Sequence, residues 1–246
     1  MHPILFKIGP VEIYSYGVMV ALGFLAATFL AARNAEKAGL DPTKIVDLFL
    51  WILISGLIGG RLLYVAMNIE GYILNPLDIV MLNKGGLIFY GGLITAFLAA
   101  VYFVKRNGMP VMKVADLIAP YIALGQMAGR VGCFLNGCCW GKISNSIFAL
   151  HFIGTPFRRH PAQLYSALLL LAIFLFLRSL HRKDRAFSGQ IFLTYLLLYS
   201  AMRFLIEFIR DEPIIFLGRF TLSQGISAGI FLLSVALYTR GLKNKR

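Results

Sequence analysis

The chain has 246 residues, of which 59% are hydrophobic and 14% charged, with a formal net charge of +13. Soluble domains are about 45–50% apolar and about 25% charged, so a globular core with a wetted surface is excluded. The mean hydropathy of +0.76 points instead to a polytopic membrane protein.

The start, MHPILFKIGPVEIYSYG, lacks a basic segment followed by an apolar run and a small-residue cleavage site, so no separate signal peptide is expected. A membrane helix needs about 20 mostly apolar residues. On that measure the spans fall at roughly 16–32, 46–68, 87–104, 116–134, 164–180, 189–209 and 221–239. The expected fold class is therefore all-α: a helical bundle of about seven spans, with residues 1–246 as a single integral membrane domain. Strands are not expected, because the apolar runs lack the alternation of a membrane barrel.

Orientation is read from lysine and arginine in the loops. Arg33, Lys37, Lys44, Lys105, Arg106, Lys113, Arg178, Arg182, Lys183, Arg185, Arg240, Lys243, Lys245 and Arg246 follow odd-numbered spans. The opposite side carries half as many: Lys7, Lys84, Lys142, Arg158, Arg159, Arg210 and Arg219. The excess predicts an outer N-terminus and a cytoplasmic C-terminus. The positive charge is then mainly a topology signal, with some affinity for anionic lipid. No nucleic-acid partner is expected, because the basic residues are scattered among short loops.

Arg61, Arg130 and Arg203 lie inside expected spans. Charges at that depth usually face a polar cavity with a function; the alternative is an arginine that snorkels to the headgroups, and for Arg61 both readings stand. All three fall in the later half of spans running outward, while Tyr16 and Tyr90 open spans running inward. Five polar groups at a similar depth suggest one cavity open to the outer leaflet. The sixth span, YLLLYSAMRFLIEFIRDEP, sets Tyr199, Arg203, Glu207 and Arg210 on one helical stripe. Glu207 can pair with either arginine. A self-neutralised ion pair would be purely structural, but two arginines against one glutamate leave a positive stripe that favours an anion. A phospholipid headgroup is the anion available at that depth, and guanidinium matches phosphate oxygens better than ammonium does. Gly125, Gly129 and Gly132 around Arg130 would allow close helix approach or backbone donation to a phosphate.

Six segments in order resemble the prolipoprotein diacylglyceryl transferases of bacterial inner membranes: YSYGVMV, GGRLLYV, FYGGLI, GRVGCFLNGCCWG, HPAQLY and RFLIEFIR. The resemblance covers nearly the whole chain. It implies a seven-helix bundle with a small periplasmic head that includes the loop at about 135–163. It also implies transfer of a diacylglyceryl group from phosphatidylglycerol to the lipobox cysteine of a preprolipoprotein, with release of glycerol 1-phosphate. Carried over by motif, Arg130 and Arg203 are the essential arginines and Tyr90 stands at the third catalytic position. Tyr16, Arg61, Gly91, Gly92, Asn136, Gly141, His160, Tyr199, Glu207 and Arg210 would bind substrate or support the site. No cofactor is expected, and no metal, because none of the four histidines shows ligand spacing with the cysteines.

The sequence also departs from the family pattern. Tyr90 replaces a histidine proposed as a base, Cys133 an asparagine, Cys138 a glutamate, and Ser166 another glutamate. Tyrosine, with a pKa of about 10, is a poor base at neutral pH, so Tyr90 would donate a hydrogen bond, or the substrate thiol would lose its proton elsewhere. For Cys133, Cys138 and Cys139 three readings stand: a Cys133–Cys138 disulfide near the oxidising face, small buried residues in a tight bend, or a catalytic thiol. A transporter or lipid-binding protein with the same anionic cavity is the alternative function.

Overall fold

The computed structural model describes residues 1–9, 11–73, 75–81, 85–181, 186–212 and 220–243. Lys84, Arg182, Lys183, Arg185, Arg219, Lys245 and Arg246, which enter the charge count, lie outside the described residues. Among the described residues, seven helices are long and apolar enough to cross a membrane, and the protein is an integral membrane protein of the all-α class. Two compact units are present, one of Met1–Leu30 with Ala115–Arg246 and one of Ala31–Val114.

In the first unit, β1 (Ile4–Ile8) and β2 (Val11–Tyr14) pair antiparallel and lead directly into α1 (Ser15–Ala35). The Ser15 amide donates to the Pro3 carbonyl at 2.8 Å, which ties the hairpin to the helix start. The second unit holds α2 (Pro42–Met67), the short α3 (Ile69–Ile73) and α4 (Phe89–Arg106). Asp41 caps α2 by accepting the Thr43 amide at 2.8 Å, and Pro42 occupies the first turn, where a missing N–H is harmless. Helices α2 and α4 pack through glycines. A Cβ on Gly91 would lie 2.5 Å from the Gly59 carbonyl oxygen, and one on Gly92 would lie 2.8 Å from that of Gly56. Small residues in this register let two backbones meet, and Thr95 then reaches across to donate to the Ser55 carbonyl at 2.8 Å.

Helix α5 (Val111–Asn136) begins five residues before the expected fourth span. Polar Lys113 and Asp116 disguise its first turns, yet Asp116 is accommodated. Asp116 is fully buried, and its carboxylate accepts the amides of Gly189 and Phe192 at 2.8 and 2.9 Å. Those donors open α7 (Gln190–Glu207), so the acid caps a neighbouring helix and meets its positive dipole end. The start of α1 lies against α5, where a Cβ on Gly132 would come within 3.3 Å of the Tyr16 Cα.

The expectation of no strands is corrected outside the spans. Besides the N-terminal hairpin, β3 (Leu150–His151) and β4 (Arg158–Arg159) pair antiparallel. Single bridges join Ile143 to Arg159 and Gly141 to Arg210. Alternation over so few residues is too short to register as a pattern. Ile147 and Phe148, in the loop before β3, are strongly exposed, Ile147 at 85%. Helices α6 (Ala162–Leu180), α7 and α8 (Leu222–Lys243) complete the first unit.

Candidate functional site

The site is built around the C-terminal ends of α5 and α7. Glu207 is 3% exposed and organises three partners. Arg203 contacts it at 2.9 Å, Arg210 approaches at 3.7 Å, and Thr221 donates to it at 2.8 Å. Arg203 also donates to the Ser223 hydroxyl at 3.0 Å. Arg210 is paired a second time, with Glu212. Arg130 differs: it is half-buried and, among the described residues, makes no hydrogen bond or ion pair. Its charge nonetheless acts on Arg203. Two carboxylates thus answer two arginines, and the uncompensated charge sits on Arg130.

Gly141 is fixed by main-chain bonds. Its amide donates to the His160 carbonyl at 2.8 Å, and the Lys142 amide donates to the Ile209 carbonyl at 2.8 Å. A Cβ on Gly141 would lie 2.7 Å from the Ile209 oxygen and 3.0 Å from the His160 Cβ, so only glycine fits. His160 faces the Tyr165 hydroxyl at 3.2 Å through Nδ1. Tyr199 stacks on Tyr195 with centroids 5.7 Å apart, and Tyr195 donates to Gln126 at 3.0 Å.

The cysteine segment follows the end of α5. Gly137 and Cys139 both take left-handed backbone conformations, at φ 72° and φ 62°. The Cys138 amide bonds back to the Cys133 carbonyl at 3.1 Å. This folds the chain so that the sulfurs of Cys133, Cys138 and Cys139 lie within 4.8 Å of one another. The cysteine and histidine spacing in the sequence does not predict this cluster, because a left-handed cysteine leaves no trace in spacing. All three cysteines are free thiols, with Cys133 buried and Cys139 exposed. The Cys139 thiol is lowered to about 5, chiefly by its hydrogen bond with Cys133; partial desolvation opposes this, and Arg210 and Arg130 reinforce it.

Arg61, Tyr90, Gly91 and Gly92 belong to the second unit. Arg61 is 4% exposed, and its guanidinium donors all meet main-chain carbonyls. Nε reaches Ile79 at 2.9 Å, one terminal nitrogen reaches Gly85 and Gly86, and the other reaches Asp78 and Met81 at 2.5 and 3.0 Å. The rings of Tyr64 and Tyr72 lie beside it. Tyr90 is half-exposed at the first turn of α4, edge-on to Phe89. Gly91 and Gly92 form the α2–α4 contact.

Within the first unit the structure therefore brings Tyr16, Arg130, Asn136, Gly141, His160, Tyr199, Arg203, Glu207 and Arg210 onto connected elements. Thr221, Ser223 and Gln163 were missed. Thr221 had a sequence signal: TLSQ is a capping-box pattern, realised by Thr221 N–H to Gln224 at 3.0 Å and Gln224 N–H to Thr221 at 3.2 Å.

A family model described as prolipoprotein diacylglyceryl transferase matches residues 3–240. This chain belongs to the prolipoprotein diacylglyceryl transferase family. It is 33% identical over 243 residues to a phosphatidylglycerol–prolipoprotein diacylglyceryl transferase of Clostridium tetani, covering 97% of each chain. A protein of the same name from Pseudomonas aeruginosa is 37% identical over 248 residues, covering 96% of this chain and 92% of its own. One from Oleidesulfovibrio alaskensis is 37% identical over 257 residues, covering 99% and 94%.

Proposed function

We propose that this protein transfers the diacylglyceryl group of phosphatidylglycerol to the lipobox cysteine thiol of preprolipoproteins, releasing glycerol 1-phosphate. The observation that carries this reading is Arg130, a half-buried guanidinium without a protein partner among the described residues, electrostatically coupled to Arg203. A free arginine beside two compensated ones suits a ligand with a single negative charge, which is the charge of a phosphodiester.

In the reaction, the substrate thiolate attacks the glycerol carbon that bears the phosphate. The carbon–oxygen bond breaks, and the phosphate leaves as a monoester carrying the electron pair. Charge on phosphate grows from one toward two, so arginines aimed at it stabilise the transition state more than the ground state. Arg130 and Arg203 take this role. Glu207 holds Arg203 in place, while Tyr16, Asn136, Gly141, His160, Tyr199 and Arg210 line or shape the site. Tyr90 donates a hydrogen bond to the phosphate or the glycerol. Arg61 supports the segment it binds, and Gly91 and Gly92 support α4. A positive field also favours the thiolate of the substrate cysteine, whose ordinary pKa is about 8.5. An apolar groove of roughly 370 Å³ between α6 and α7, lined by Leu169, Ile173, Phe176, Leu198, Met202 and Leu205, has the chemistry to accept an acyl chain.

The reading includes a bacterial inner-membrane location, one integral membrane domain over 1–246, and a periplasmic head containing the loop at about 135–163. The test is to supply the purified protein with phosphatidylglycerol and a lipobox peptide. Peptide-dependent release of glycerol 1-phosphate is expected. Lipid binding or flux without release would overturn the transferase in favour of a transporter or lipid-binding protein.

A further inference from the structure

We infer that Cys133, Cys138 and Cys139 form a binding site for one thiophilic d¹⁰ cation, of which Zn²⁺ is the simplest example. This inference goes beyond the transferase reading and does not rest on it.

Geometry comes first. Three sulfurs converge within 4.8 Å of one another. Zn–S bonds of about 2.3 Å in tetrahedral geometry put sulfurs roughly 3.8 Å apart, so about an ångström of side-chain adjustment closes the site. A disulfide would use two sulfurs and leave the convergence of the third without purpose. The backbone is arranged to produce this convergence: Cys139 is the one described non-glycine residue with positive φ. Such a conformation is strained for a residue with a Cβ and concentrates at functional sites.

Chemistry comes second. Three thiolates select soft or borderline cations over Mg²⁺ and Ca²⁺. With a divalent ion they leave one net negative charge. Cys139 is exposed and Cys133 buried, which gives an entry side and a closed side. Three thiolates leave a fourth position for water. Gln163, 1% exposed, donates to the Cys138 carbonyl at 2.6 Å while its Oε1 has no hydrogen-bond partner. That is a buried acceptor without a donor, tied to the same turn, and a metal-bound water would supply the donor. On binding, three S–M bonds form, the three thiol protons pass to solvent, and no electrons are transferred.

The experiment uses the full chain purified in detergent, reduced and stripped with a chelator. Titration with Cd²⁺ should give a thiolate-to-cadmium absorption band that saturates at one equivalent and is displaced by Zn²⁺. Cys133→Ser, Cys138→Ser and Cys139→Ser should each lower the band by roughly a third and weaken binding at least about tenfold. A second readout needs no variant: Zn²⁺ should protect all three thiols of the wild-type protein from alkylation, counted by mass. The inference is overturned if folded, reduced wild-type protein gives neither band nor protection. It is equally overturned if the serine variants bind as wild type does, or if the protein as isolated carries a Cys133–Cys138 disulfide. Glycerol 1-phosphate release is measured separately, so either reading can fail without the other.

Discussion

Arg203 and Arg130 are asked for the same chemistry with different support. Arg203 is held by Glu207 and Ser223, whereas Arg130 has no described partner to hold it. Lysine at either place keeps the charge but loses the planar fork that meets two phosphate oxygens. Arg130→Lys and Arg203→Lys are therefore each expected to fold and to lose about 10- to 150-fold in transfer, the equivalent of one charged hydrogen bond of about 1.5–3 kcal/mol. Near-normal turnover in both, measured as glycerol 1-phosphate release, would remove the phosphate role. Tyr90 poses the complementary case. Tyr90→Phe deletes a hydroxyl and keeps the ring, so transfer should fall about 5- to 150-fold, the range of a 1–3 kcal/mol hydrogen bond, and Tyr90→His should retain or raise it. A wild-type rate for the phenylalanine variant would make Tyr90 a packing residue. Motifs made the stripe of Arg203, Glu207 and Arg210 legible because one helix holds all three at fixed spacing. Arg61 was not legible in the same way: its carbonyl partners lie 17 to 25 positions away, and a charge within an apolar run looks the same whether it meets a ligand or a loop.

At the scale of elements, all seven spans could be read from the sequence, since each is a long apolar run. The helix ends could not, because ends are decided by capping. Asp41 and Pro42 start α2 four residues before the expected 46, and α5 begins at Val111, ahead of the expected 116, because polar Lys113 and Asp116 interrupt the apolar run within its first turns. Glycine in a span is ambiguous in sequence, and the packing separates its roles. A Cβ on Gly91 would strike the Gly59 carbonyl at 2.5 Å, while nothing lies within 4 Å of one on Gly229 in α8. Gly91→Ala should destabilise the protein by about 1–3 kcal/mol through overpacking. Gly229→Ala should leave the melting temperature unchanged or raise it. Equal shifts in a detergent thermal melt would show that α2 and α4 do not rely on that contact.

For the molecule as a whole, the loop charges predict which way it faces. The basic residues after odd-numbered spans outnumber the others two to one, so a reporter fused after Arg246 should read as cytoplasmic and one placed between Lys142 and Arg159 as periplasmic. Reversed signals would turn the arginine cluster toward the wrong leaflet for the proposed chemistry. The loop at about 135–163, proposed as a periplasmic head, is tied together at its foot. Gly141, Lys142 and Ser144 are joined to His160, Ile209 and Arg158 by main-chain hydrogen bonds, so its base is stitched by atoms that substitutions other than proline leave in place. The tip beyond that stitch, around Gly154, has open space and no ladder partner. Lengthening a closed loop costs only about 0.6 kcal/mol per doubling. The tip is therefore a place where the chain can vary in length, or accept an inserted epitope, while the arginine helix keeps its position.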